Sequence, residues 1–148
     1  MQVQPQMRPR LLLIEDDEAR ILWFRRWTQD SGFVLVEARS AGQALGFLSK
    51  GSNEAVAGLL LDHDLSDSPF VDNDLRMSTS DLMPKIVRGM DRRSPVLIHS
   101  HNATKPPHMQ RMLETAGFTV TRARFAVLDA LRMAAWLEEV RDCWEDRG

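Results

Sequence analysis

Leu59-Leu60-Leu61-Asp62-His63-Asp64-Leu65 places three leucines directly before an acid, an imidazole and a second acid. Preceded by Val56-Ala57-Gly58, the leucines read as a short strand buried on both faces, the kind that fills a parallel sheet covered by helices on either side. A strand this apolar has no reason to end in Asp-His-Asp unless those groups reach a crevice, because burying a bare carboxylate is costly. In open α/β sheets ligands sit at the carboxyl ends of strands, so residues 62–64 are the first place to look for chemistry.

Working outward, the chain alternates strands with helices. Arg10 to Glu15 is a second apolar strand, followed by the acidic cluster Glu15-Asp16-Asp17-Glu18, whose charge suits the first turn of a helix. That helix spans Glu18 to Asp30, with Ile21, Leu22, Phe24 and Trp27 as its apolar stripe, and Gly32 follows its end. Phe33 to Val36 is a strand, and Ser40 is an N-cap for a helix running to Gly51. Beyond the Leu59 strand, residues Ser66 to Ser78 are rich in Asp, Ser and Asn, longer than an ordinary connection and typical of a binding loop. A helix is expected over Thr79 to Met90, weakened by Pro84 unless that residue falls in the first turn. Pro95 to Ile98 is a strand ending in His99-Ser100-His101-Asn102; Pro107 to Ala116 is a helix closed by Gly117; Phe118 to Thr121 is the last strand. Ala126 to Trp144 repeats apolar residues at helical spacing, and Val127, Leu128, Leu131 and Ala134 widen its apolar face enough to cover either the sheet or a second subunit, the latter giving a homodimer through this C-terminal helix.

Five strands alternating with five helices predict an α/β fold, a (βα)5 three-layer sandwich with right-handed crossovers and a parallel sheet. The flavodoxin-like strand order 2-1-3-4-5 sets the first, third and fourth strands side by side. Their carboxyl ends then gather Asp16-Asp17, Asp62-His63-Asp64 and His99-Ser100-His101-Asn102.

The totals bound the function. With 148 residues, 43% hydrophobic and 27% charged, the chain is sized for one globular domain, read as 10–148 with a flexible N-terminal arm at 1–9. A net charge of −2 gives no broad attraction to nucleic acid or membrane. The single cysteine, Cys143, forms no internal disulfide, and with no secretory signal at the start a cytoplasmic location is expected. Leu11 to Ile14 is too short to span a bilayer, so no membrane partner is expected.

These residues resemble the receiver (CheY-like) domains of two-component signalling. Leu-Ile-Glu-Asp-Asp-Glu is similar to the first receiver strand with its acidic pair, placed at Asp16 and Asp17. Asp62 stands where a receiver carries its phosphate-accepting aspartate, and Ser100, closing Pro-Val-Leu-Ile-His-Ser, stands at the hydroxyl position. A receiver has a lysine at the end of its fifth strand. Thr119-Val120-Thr121-Arg122-Ala123-Arg124 has none, leaving Lys105 or an arginine to substitute. Leu-Asp-His-Asp-Leu paired with His-Ser-x-Asn, followed by Met109 and Leu113, is more similar to a divergent branch, the cyclic-phosphate-processing receiver-like family. Thr79-Ser80-Asp81 departs from that family's Thr-Gly-x-Asp in lacking the glycine.

Asp16, Asp17 and Asp62 offer hard oxygen ligands for magnesium or manganese, a metal that meets its partner at phosphorus. The resemblance implies a metal-assisted phosphoesterase acting on a cyclic phosphate, with the 2′,3′-cyclic phosphate of an RNA end or a nucleotide as substrate. Opening a cyclic phosphodiester needs a base for the attacking water and an acid for the leaving oxygen. His63 and His99 are the candidates for those roles beside Asp62. Ser100, Asn102 and Lys105 are candidates to hold the phosphate, and Asp64 and His101 to orient the imidazoles. The other readings are an atypical receiver accepting phosphate on Asp62 and a non-catalytic signalling or dimerisation module. Arginines 20, 25, 26, 88, 92 and 93 are read as solvated helix faces, and the four tryptophans as core or interface packing.

Overall fold

The computed structural model describes residues 8–49, 55–63, 79–100 and 108–147, with backbone alone at 79–81. Strands β1 (Arg10–Ile14), β2 (Val34–Ala38), β3 (Val56–Asp62), β4 (Val96–Ser100) and β5 (Val120–Arg124) alternate with helices α1 (Glu18–Thr28), α2 (Ala41–Ser49), α3 (Thr79–Gly89), α4 (His108–Thr115) and α5 (Ala130–Glu145). Every pair of neighbouring strands is parallel and the order is β2-β1-β3-β4-β5. This is the flavodoxin/CheY-like (βα)5 sandwich that the alternation predicts. The N-terminal arm falls outside the described residues up to residue 7; pairing begins at Pro9, whose carbonyl accepts from Val34 N at 3.0 Å.

Strand alternation divides the core into two layers. On one face Leu12, Ile14, Leu59, Leu61, Val96 and Ile98 pack with Leu82, Ile86 and Leu113 of α3 and α4 and with Ala44 and Leu48 of α2. On the other, Leu11, Leu13, Leu60 and Leu97 pack with Ile21 and Phe24 of α1 and with Met133, Trp136, Leu137 and Val140 of α5. All seven residues of β3 are buried, as a central strand covered on both sides requires. Each such leucine contributes about 1.5–3 kcal/mol, enough to hold helices whose own propensity is weak. One is α2, with Gly42 and Gly46; another is α3, which carries Pro84 beyond its first turn yet continues because Leu82, Met83 and Ile86 are buried around it.

Gly58 sets how closely α5 approaches β3. A Cβ there would stand 3.0 Å from Trp136 Cη2, 3.1 Å from Val140 Cγ2 and 3.2 Å from Leu11 Cδ2. At the amino end of the same strand, Ser94 Oγ donates to the Val56 carbonyl at 2.8 Å. Arg147, just past α5, reaches Ser94 Oγ at 2.5 Å and Val56 O at 3.4 Å.

β2 runs on to Ala38 and β4 to Ser100, past the expected Val36 and Ile98, α1 stops two residues early, α2 is described as far as Ser49, and two boundaries nearer the C-terminus differ for a visible reason. The last helix begins at Ala130, not Ala126. Phe125–Val127 form a single 3-10 turn, after which Asp129 is fully extended (φ −144°, ψ 178°) and its carboxylate accepts from Arg132 N at 2.8 Å. That cap starts a new helix and leaves Val127 off it. The last strand is Val120–Arg124, not Phe118–Thr121, because Phe118 closes α4 instead. Its N–H donates to Leu113 O at 3.0 Å, across Gly117 at φ +102°, and its ring is buried.

Candidate active site

Register brings the chemistry together. Ile14 pairs with Leu61, so Glu15 stands level with Asp62, and Asp62 pairs with His99. The same alternation that sends Leu11, Leu13, Leu60 and Leu97 toward α1 and α5 sends Glu15, Asp62 and His99 there too. One ligand atom from each of the three lies within 4.8 Å of the others, and all three side chains are buried.

The cluster is held from several directions. His99 Nε2 is 3.0 Å from Glu15 Oε1. Glu15 Oε2 accepts from the amides of Asp16 and Asp17 at 3.0 and 3.3 Å. Arg20, in the first turn of α1, places Nη1 3.2 Å from Glu15 Oε1 and 3.7 Å from Asp62 Oδ1, and is itself 6% exposed. Burial holds the Glu15 carboxyl above its usual range, against the hydrogen bond with Asp62, the Arg20 charge and the two amides, which pull it down. An aromatic wall backs the cluster. The Phe24 ring lies 4.7 Å from the His99 ring, and the Arg20 guanidinium lies over Phe125 at 5.6 Å.

The residues expected from sequence are distributed as follows. Asp62 and His99 are brought together. His63 follows Asp62 at the rim, half-buried, its N–H donating to His99 O at 2.9 Å. Ser100 is buried and, by strand alternation, belongs to the opposite face from His99. Asp16 is exposed, and Asp17 caps α1 by accepting from Arg20 N at 3.1 Å; neither belongs to the cluster. Asp64, His101, Asn102, Lys105 and the Ser66–Ser78 loop lie outside the described residues. Glu15 and Arg20 are the two members the sequence reading did not single out. For Glu15 the signal was available, since it continues the Leu11, Leu13 alternation.

Two carboxylates and an imidazole, converging and shielded from water, fit a divalent metal, and Glu15, Asp62 and His99 could coordinate one. Arg20 supplies the cationic charge that these carboxylates otherwise face.

The family model for the cyclic-phosphate processing receiver domain matches residues 11–115. Solved structures with the same fold include a CheY-like response regulator receiver domain from Methanospirillum hungatei JF-1, with TM-score 0.70, 18% identity and 96% of this chain on 100% of that one. The N-terminal domain of a response regulator/sensory box/GGDEF protein from Carboxydothermus hydrogenoformans gives TM-score 0.67, 14% identity and 93% on 98%. The receiver domain of a sensor histidine kinase from Pseudomonas aeruginosa PAO1, with a magnesium ion coordinated in its active-site cleft, gives TM-score 0.60, 16% identity and 89% on 96%. At these identities the likeness speaks for the fold alone. No curated protein matched the chain.

Proposed function

The chain belongs to the cyclic-phosphate processing receiver family, and on that premise we propose that it is a metal-assisted phosphoesterase acting on the 2′,3′-cyclic phosphate of an RNA end or a nucleotide. The observation that carries this reading is the buried Glu15–Asp62–His99 group at the ends of adjacent strands. The similar Pseudomonas receiver holds a magnesium ion in its own active-site cleft, which is consistent with a metal in this chain. An imidazole beside two carboxylates suits manganese, iron or zinc better than magnesium. When bound, such an ion polarises a phosphoryl oxygen.

The chain's own residues have separable tasks. Glu15 and Asp62 offer the carboxylate oxygens, and His99, fixed on Glu15, completes the donor set. His63, at the rim, is the imidazole placed to give or take a proton at the reacting oxygens. Arg20 counters the charge of the carboxylates from the α1 side.

A second reading, a receiver that accepts phosphate on Asp62, is favoured by the position of Asp62 at the end of β3 in a receiver fold. One experiment separates them. The protein is incubated with 2′,3′-cyclic AMP and, separately, with acetyl phosphate, each with manganese or magnesium. Turnover of the cyclic nucleotide that disappears in both His99→Ala and Asp62→Asn supports the esterase. A stable phosphoryl adduct lost only in Asp62→Asn, with no turnover, replaces it with the phosphoacceptor. Inertness in both assays removes both.

A further inference from the structure

Between the second half of α1 and the turn leading into α5 opens a cleft of about 500 Å³, lined by Trp23, Arg26, Trp27, Phe125, Leu128 and Asp129. That volume falls within the roughly 300–1,000 Å³ of small-molecule sites. Its walls are largely aromatic. The Trp23 and Trp27 rings lie 5.6 Å apart at 31°, and Phe125 lies 5.8 Å from Trp27. Trp23 is 44% exposed, so part of its ring stays open at the cleft. The polar groups are few. Arg26 lies over the Trp23 ring at 5.2 Å, and Asp129, which uses Oδ1 to cap α5, has a second carboxylate oxygen to accept from an amino group.

The cleft shares its aromatic wall with the acid cluster. Phe125 lines the cleft and carries the Arg20 guanidinium, and that guanidinium reaches Glu15 and Asp62. Phe24 touches His99, Trp27 and Phe125, with ring centroids at 4.7, 5.4 and 5.8 Å. Stacked aromatic faces with an arginine at the edge are how proteins hold an unpaired base. An aliphatic ligand would gain nothing from Arg26 or Asp129.

We propose that this cleft is a nucleobase subsite, in which the aromatic surface of Trp23, Trp27 and Phe125 receives the base of the nucleotide proposed as substrate. The proposal rests on the phosphoesterase reading for the phosphate, and on the cleft alone for the base. The test uses the full chain and tryptophan fluorescence, cross-checked by calorimetry, with adenosine, 2′,3′-cyclic AMP, ribose 5-phosphate and a short single-stranded RNA ending in a 2′,3′-cyclic phosphate. Adenosine is expected to quench the tryptophans and ribose 5-phosphate is not. Trp23→Ala and Phe125→Leu should each weaken adenosine by about five- to a hundredfold, the range that stacking on an aromatic ring commands. Tighter binding of the RNA than of the mononucleotide would identify a strand end as the source of the base, and equal binding a free nucleotide; both support the subsite. If Trp23→Ala loses its folded circular dichroism, Phe125→Leu carries the comparison. Adenosine that does not bind, or binds both variants as well as the parent, overturns the proposal. So does a concentration-dependent dimer abolished by Trp23→Ala with no adenosine binding, which would assign the cleft to a second copy. Adenosine binding without turnover of the cyclic nucleotide retains the subsite and removes the esterase.

Discussion

Nε2 of His99 lies 3.0 Å from Oε1 of Glu15, a contact between β4 and the end of β1 that joins residues 84 positions apart. Both side chains are fully buried, so the state of this pair is set by the fold.

Because burial raises the Glu15 carboxyl, the folded protein holds that proton more tightly than the unfolded chain does. The stability from this group is complete below its ordinary value of 4.5 and is lost as pH rises through the raised value. Glu15→Gln removes the dependence while keeping the shape. The variant should therefore unfold at a higher temperature than the parent at pH 8, with the gap narrowing as pH falls toward 4.5. Comparing melting profiles of the two proteins cancels the contributions of other groups; a gap that widens on acidification contradicts the assignment.

Arg20 is the positive partner of two buried carboxylates. Its removal as Arg20→Ala should cost the metal-free protein about 3 kcal/mol, the usual penalty for stranding half of a buried ion pair. A bound cation restores the lost charge, so saturating manganese should raise the melting temperature of this variant more than that of the parent. Chelation with EDTA should erase both increments. Equal manganese shifts in the two proteins would mean that ion and guanidinium do not share the carboxylates.

Asp129 fixes where α5 begins, through its bond to Arg132 N. Asp129→Ala should lower unfolding free energy by about 1 kcal/mol in urea titration, with an unchanged m-value.

Gly58 admits α5 to the sheet, and its nearest neighbours are side chains of Trp136, Val140 and Leu11. Gly58→Ala should cost about 1–3 kcal/mol by overpacking, accompanied by a shift in tryptophan emission as Trp136 is displaced. A variant as stable as the parent would show that α5 retreats freely.

The sheet was legible because β1, β3 and β4 are near-continuous apolar runs, and alternation with helices leaves few orders for such strands. Asp62 and His99 were legible for a related reason, as polar residues ending strands with no other cause to be polar. Glu15 was harder to single out, since an acid between a strand and a helix equally suits the first turn of that helix; only its register against Asp62 decides between them. Arg20 reads as one more solvated helix cation until the packing of α1 over the cluster is known. The start of α5 was missed because Ala126, Val127 and Leu128 fit a helix as well as a turn. Asp129 was the visible cue, a capping residue three positions before the amide it accepts from.

Arg147 and Ser94 fasten the segment after α5 to the amino end of β3, while Asp62 closes the other end of that strand. Whatever is joined beyond Arg147 departs from the pole remote from the carboxylates. Biosensor immobilisation through that tail would therefore leave the carboxyl ends of β1, β3 and β4 facing solution.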